Sequence, residues 1–226
     1  MKRAREPAKS PLRHAELKEK QRRLRDGFPI ALTLRTHRGV SWLQRAERET
    51  DDLDVRFILL WVGFNAAYAS DIETDMGGER DRFRAFFANL IALDPDQRVY
   101  DIVWQRFPNE IRLLLNNRYV FAPFWAHHNG QPGQADWADR LASGQRAVAA
   151  AIASRDTPRI LSIIFDRLYV LRNQIVHGGA TWNSAANRDQ VRDGAAVLGW
   201  LLPTFLDIMM DHPEHAWDMP YYPVVE

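Results

Sequence analysis

The chain has 226 residues, 46% hydrophobic and 26% charged, with a formal net charge of +1 and no cysteine. That length and apolar content suffice for one sizeable core, and the absence of cysteine excludes disulfides, thiolate nucleophiles and cysteine zinc sites. The N-terminus has no apolar signal-like region, and the longest charge-poor apolar stretch, residues 57–70, falls short of the roughly 20 residues that a bilayer needs. No membrane partner and a cytoplasmic location are therefore the expectations.

Charge is unevenly distributed. Residues 1–26 carry ten Lys/Arg against four acids, a head of +6 on a body of −5. A basic arm on a near-neutral body suits a polyanion such as RNA, with Lys18, Lys20, Arg22, Arg23 and Arg25 as the candidate contacts. The alternative is a solvated, partly disordered tail.

In chain order, residues 1–12 are poorly patterned and 13–25 predict a polar helix with little to bury. Residues 30–36 alternate weakly, as a short extended piece would. The expected organisation is therefore a basic, partly disordered extension over 1–39 and a helical domain over 40–226. Ser41 is the expected N-cap of a first helix, and Asp51 or Asp52 opens the strongest front helix, 52–69. Phe57, Leu60, Trp61, Phe64 and Tyr68 recur there at three- and four-residue steps, while Ile58, Leu59 and Val62 fill the rest of the circumference. Such a helix is expected at the centre, buried on several sides. Residues 71–78 read as a loop and 79–93 as a helix with Phe83, Phe86, Phe87, Leu90 and Ile91 inward. Pro95 starts another segment and Pro108 a helix to about 117. Residues 119–125 are ambiguous, 127–133 form a loop, and 136–153 a helix. Thr157 is the expected cap of a long helix ending at Gly178-Gly179. Asn183 or Ser184 opens the last long helix, with a kink expected at Pro203, and the tail from His212 should wrap the surface. No regular strand pattern appears, so the predicted fold is all-α.

The most informative segment is Leu168-Tyr169-Val170-Leu171-Arg172-Asn173-Gln174-Ile175-Val176-His177-Gly178-Gly179. Arg172 and His177 stand five apart at the end of an amphipathic helix. Leu168, Leu171 and Val176 hold its turns to a core, and Arg172, Asn173 and His177 lie along the opposite edge.

Arg-x4-His at the end of a third core helix, with a polar residue after the Arg, resembles the HEPN superfamily motif. The front helix Arg56-Phe57-Ile58-Leu59-Leu60-Trp61-Val62-Gly63-Phe64-Asn65-Ala66-Ala67-Tyr68 is similar to the first core helix of ApeA-like bacterial HEPN proteins. Gly178-Gly179-Ala180-Thr181-Trp182 fits the same group. The resemblance covers 50–70 and 157–211 well, 71–156 loosely and 1–40 not at all. It implies a HEPN-type helical bundle with extra helices, a homodimer through the helix carrying Arg172 and His177, and two motifs facing each other. It also implies metal-independent RNA cleavage without a cofactor, in toxin–antitoxin, phage-defence or stress settings, with an antitoxin or defence protein as partner. Some members of the family have lost catalysis and only bind RNA or protein.

The residue types suit that chemistry. Metal-free RNA cleavage needs a base for the 2′-hydroxyl proton, an acid for the leaving 5′ oxygen and a cation for the phosphate. Histidine serves as base or acid near neutrality, each role worth roughly 100- to 10,000-fold in rate. Arginine stays protonated and forks two donors onto phosphate oxygens. One chain supplies one His at this site; a two-fold dimer supplies two. The products would be a 2′,3′-cyclic phosphate and a 5′-hydroxyl. The resemblance also puts a polar residue of the first core helix opposite the motif: Asn65 is the candidate, and Asp51, Asp52 and Asp54 are the runners-up.

Structural readings stand beside these. Arg172 could pair an acid and His177 cap a helix end, and Asn65 could be a satisfied core amide. His127-His128 reads as loop decoration, the Asp211, His212 and His215 group as a solvated helix end, and the tryptophans, Trp182 and Trp200 among them, as core.

Overall fold

The computed structural model describes residues 10–69 and 79–224 and contains, among them, ten α-helices and no strand. The expected all-α fold is the observed one. The helices are α1 (His14–Leu24), α2 (Ile30–Arg48), α3 (Leu53–Tyr68), α4 (Glu79–Ala92), α5 (Arg98–Asp101), α6 (Pro108–Asn116), α7 (Ala122–His128), α8 (Trp137–Ala153), α9 (Thr157–Val176) and α10 (Arg188–Asp211). The loop expected over 71–78 lies outside the described residues.

Aromatic side chains from four helices meet at the centre. Phe64 of α3 lies 4.2 Å from Phe165 of α9, and Phe87 of α4 lies 4.8 Å from Phe165 and 5.7 Å from Phe205 of α10, centroid to centroid. All four rings are fully buried. Each contributes about 1.5–3 kcal/mol by leaving water.

The helix α10, together with the short turn Ala185–Asn187 before it, is long and apolar enough to cross a membrane, but 72% of its most apolar window is buried inside the bundle. It runs alongside α3 in the same direction, since Gly194 meets Phe57 and Gly63 meets Leu202. It runs against α2, where Gly39 meets Leu206. A Cβ at Gly39 or Gly63 would sit 2.7 Å from a leucine of α10, so these glycines let three helices pack at close range. Pro203 is accommodated inside α10 and buried.

The front of the chain differs from expectation. The boundary expected at residue 40 falls inside α2, which runs unbroken from Ile30 to Arg48. Residues 30–36 are helical rather than extended, and Ser41 is an exposed mid-helix residue rather than a cap. The preceding helix does bury something: Leu17 and Gln21 are buried, and Leu17 and Leu32 belong to the core. Gln21 donates to the Thr36 hydroxyl at 3.3 Å. A single apolar residue per helical turn suffices when a neighbouring helix covers it, which short-window polarity cannot reveal.

Smaller shifts follow the same logic. The cap of α9 is Asp156, whose carboxylate accepts from the Arg159 amide at 3.1 Å, one residue before the expected Thr157. The ambiguous stretch resolves into a 3-10 turn, Arg118–Val120, followed by α7, which takes in His127 and His128. The tail is strapped to α2 by Arg35, which is buried and donates to the carbonyls of Asp218, Met219 and Ala67. Burial pushes its guanidinium down to about 10, so it remains charged at neutral pH. Nor do the C-terminal histidines form a metal group: no such group occurs among the described residues. His212 bonds the Leu93 carbonyl and Glu214, while Asp211 pairs with Lys20.

Candidate functional site

The helix α9 ends where the sequence says it should. Gly178 adopts φ +69° and its amide bonds the Ile175 carbonyl at 3.2 Å. The Gly179 amide bonds the Gln174 carbonyl at 2.7 Å. This pair of bonds is the Schellman arrangement, which satisfies the last carbonyls of a helix and turns the chain sharply. A Cβ on Gly179 would lie 3.1 Å from the Gln174 carbonyl oxygen. His177 is therefore fixed at the C-cap, exposed, with no described side chain hydrogen-bonding its imidazole.

With about 100° per residue, Arg172, Val176, Asn173 and His177 fall within an arc of about 140° on α9. Gln174 lies about 60° beyond His177, and Ile175 about 60° before Arg172. The structure brings the three motif residues onto one face. Arg172 donates from Nη1 to the Asn173 Oδ1 at 2.8 Å, so the Asn173 amide nitrogen is left to donate outward. Residues 167–187 contain no Asp or Glu, and Asp166, half-buried, stands on the same face two turns before Asn173. The face offers hydrogen-bond donors and an imidazole, a chemistry suited to an anion.

On the Ile175 side lies an open cleft of about 300 Å³. Its walls include Val55, Ile58 and Leu59 of α3, with Ile175, Thr181 and Trp182 opposite. The helix α3 is buried on several sides, as expected, but open along this cleft: Val55 is 38% exposed and Ile58 and Leu59 are half-buried. The cleft corrects the reading of Trp182 as core, since that ring is 74% exposed.

Two of the acids expected as runners-up, Asp52 and Asp54, hold the loop that follows the motif, whereas Asp51 accepts from the Thr50 hydroxyl. Asp52 caps α3 by accepting from the Val55 amide at 3.0 Å, and accepts from the Trp182 indole at 2.8 Å. The Val55 amide, then the Trp182 N–H, holds its carboxyl below the usual carboxylate range. The buried Asp54 accepts from the Asn183 amide at 2.9 Å and from Arg188 at 2.7 Å on both oxygens. Arg188 escaped the sequence reading. A cation in the first turn of a helix opposes the helix dipole, which is the signal that it needs an acid partner.

Asn65 is not brought to the motif. The helices α3 and α9 run antiparallel, with Trp61 against Phe165 and Tyr169, and Ile58 sharing the cleft with Ile175. Asn65 stands seven residues past Ile58, about 10 Å further along the axis. It is half-buried.

The basic residues of α1 are also distant. Lys20 is ion-paired to Asp207 and Asp211 at 2.6 and 2.7 Å, with 15% of its side chain exposed. That anchors this part of α1 to the C-terminal end of α10, about 28 Å along the helix from Arg188. Lys20 is thus a structural residue within an ion network that includes Arg98. Lys18 is half-buried, with its ammonium on Gln21 at 2.9 Å, whereas Arg22, Arg23 and Arg25 are exposed.

No known protein-family model, no curated protein and no solved structure matches this chain.

Proposed function

We propose that this chain is a HEPN-type, metal-independent endoribonuclease whose Arg172, Asn173 and His177 form half of a site completed by a second copy. One observation carries the reading: Arg172, Asn173 and His177 share one face at a fixed helix end, with the Arg172 guanidinium on the Asn173 side chain and the His177 imidazole exposed. Arg172 forks onto the non-bridging oxygens of the scissile phosphate, and the Asn173 amide nitrogen adds a donor. One His177 imidazole takes the 2′-hydroxyl proton as that oxygen attacks phosphorus. The His177 of the second copy protonates the departing 5′ oxygen as its bond to phosphorus breaks. The products are a 2′,3′-cyclic phosphate and a 5′-hydroxyl. Tyr169 and Val176, exposed on the same face of α9, are apolar groups that a facing copy would cover. A role in phage defence, a toxin–antitoxin pair or stress response, in the cytoplasm, belongs to the same proposal.

The test is cleavage of single-stranded RNA in EDTA by the purified chain. Cyclic-phosphate ends and a specific activity that rises with protein concentration are expected. His177→Ala should lower the rate at least about 100-fold while leaving the melting temperature unchanged. Equal cleavage by the mutant overturns the reading. The apolar cleft beside Arg172 favours a second reading, a non-catalytic HEPN-like module that binds RNA or a partner protein such as an antitoxin. That reading expects binding without cut products.

A further inference from the structure

On the other flank of the motif, the turn Arg118–Val120 and α7 build a second cluster against α9. The Tyr119 carbonyl accepts from the Gln174 side-chain Nε2 and from the Trp125 indole, the latter at 2.7 Å. This ties both aromatic residues to the last turn of α9, on the side nearest His177. Outside, the Arg118 guanidinium lies 4.9 Å from the centre of the Tyr119 ring and donates to its hydroxyl at 2.8 Å. Trp125 is set edge-to-face against the buried Phe124, centroids 5.1 Å apart at 88°. The core contacts of this segment are made by Val120, Phe121 and Phe124 instead. Tyr119 and Trp125 remain 45% and 37% exposed, and Arg118 is exposed.

Flat groups held rigid in water, with a cation among them, match an unpaired nucleobase and its phosphate. We propose that Arg118, Tyr119 and Trp125 form a stacking subsite for an unstacked base of single-stranded RNA, next to His177. This rests on the ribonuclease reading of the motif. The Arg118 guanidinium, held by the Tyr119 hydroxyl, and the Trp125 ring each take a base face, and the charge of Arg118 meets the backbone. The nearest acids on α10, Asp189 and Asp193, are both engaged by Arg192, at 2.8 and 3.0 Å. Stacking is indifferent to base identity but needs bases free of a duplex, so the subsite selects single strands.

The test titrates the wild-type chain into a labelled 2′-O-methyl oligouridine, which lacks the attacking hydroxyl, and into the same strand in a duplex. Anisotropy in EDTA should show tighter binding of the single strand. Trp125→Leu should weaken it about 10-fold, as loss of one stacked base does, while Trp125→Phe keeps a ring and most of the affinity. Arg118→Gln should weaken binding and flatten its salt dependence by about one ion. In cleavage assays with unmodified RNA, kcat/KM should fall with the affinity. Unchanged affinity in Trp125→Leu and Arg118→Gln, with cleavage intact, overturns the subsite and leaves the ribonuclease reading standing. Equal binding of duplex overturns the stacking mode. A wild-type chain that neither binds nor cuts RNA overturns both.

Discussion

At the scale of single residues, the position of His177 is decided by the two glycines after it. Gly178 sits at φ +69°, where an L side chain costs about 1 kcal/mol, and a Cβ at Gly179 would crowd the Gln174 backbone at 3.1 Å. Gly178→Ala should therefore lower the melting temperature by about 2–4 °C, read by circular dichroism. The larger effect should be on RNA cleavage, because the helix end that holds the imidazole must rearrange. A mutant with full activity would show that His177 need not be held there. Both glycines were legible in the sequence as a helix stop, since only a left-handed cap explains the pair after an apolar run. The hydrogen bond from Arg172 to Asn173 was not, because spacing gives a face but no side-chain torsion.

At the scale of elements, the motif loop is fastened to the start of α3 rather than to its middle. The sequence made Asn65 conspicuous as the single amide in an apolar run. The antiparallel packing of α3 and α9 instead brings the N-terminal end of α3 to the motif, and with it Asp52 and Asp54. A helix apolar all round gives no phase from which to read its neighbours, so the choice lay beyond the sequence. Asp54→Asn keeps the shape and removes the charge that faces Arg188, whose side chain is 26% exposed. It should cost about 2 kcal/mol, seen as a lower denaturation midpoint in urea. A midpoint within error of wild type would mean that solvent satisfies Arg188 equally well.

At the scale of the whole molecule, the candidate residues fall at two ends of the bundle. The motif, the apolar cleft and the aromatic cluster gather at one end, while the exposed arginines of α1 lie at the other, about 28 Å along α10. A single phosphate cannot touch both within one chain. The expectation that the basic head is an appendage also changes, because Leu17 is fully buried and Lys20 bridges to Asp207 and Asp211. Deleting residues 1–26 removes a buried leucine and an ion pair, and should cost about 3 kcal/mol or more, read as a lower melting temperature. A deletion that weakens RNA binding without changing stability would restore the appendage reading.

The sequence by itself determined the helical class, the core faces of α4, α9 and α10, the start of α3 to within the pair Asp51 and Asp52, and the end of α9 at Gly178. These are local matters, set by periodicity, capping chemistry and the one residue type that tolerates positive φ. Only the tertiary structure decided that α1 and the whole of α2 join the core, that Lys20 is structural and that Trp182 faces solvent. It also placed Arg118, Tyr119 and Trp125 beside Gln174. Each of those depends on a partner tens of residues away, and no window of sequence holds both halves of such a contact.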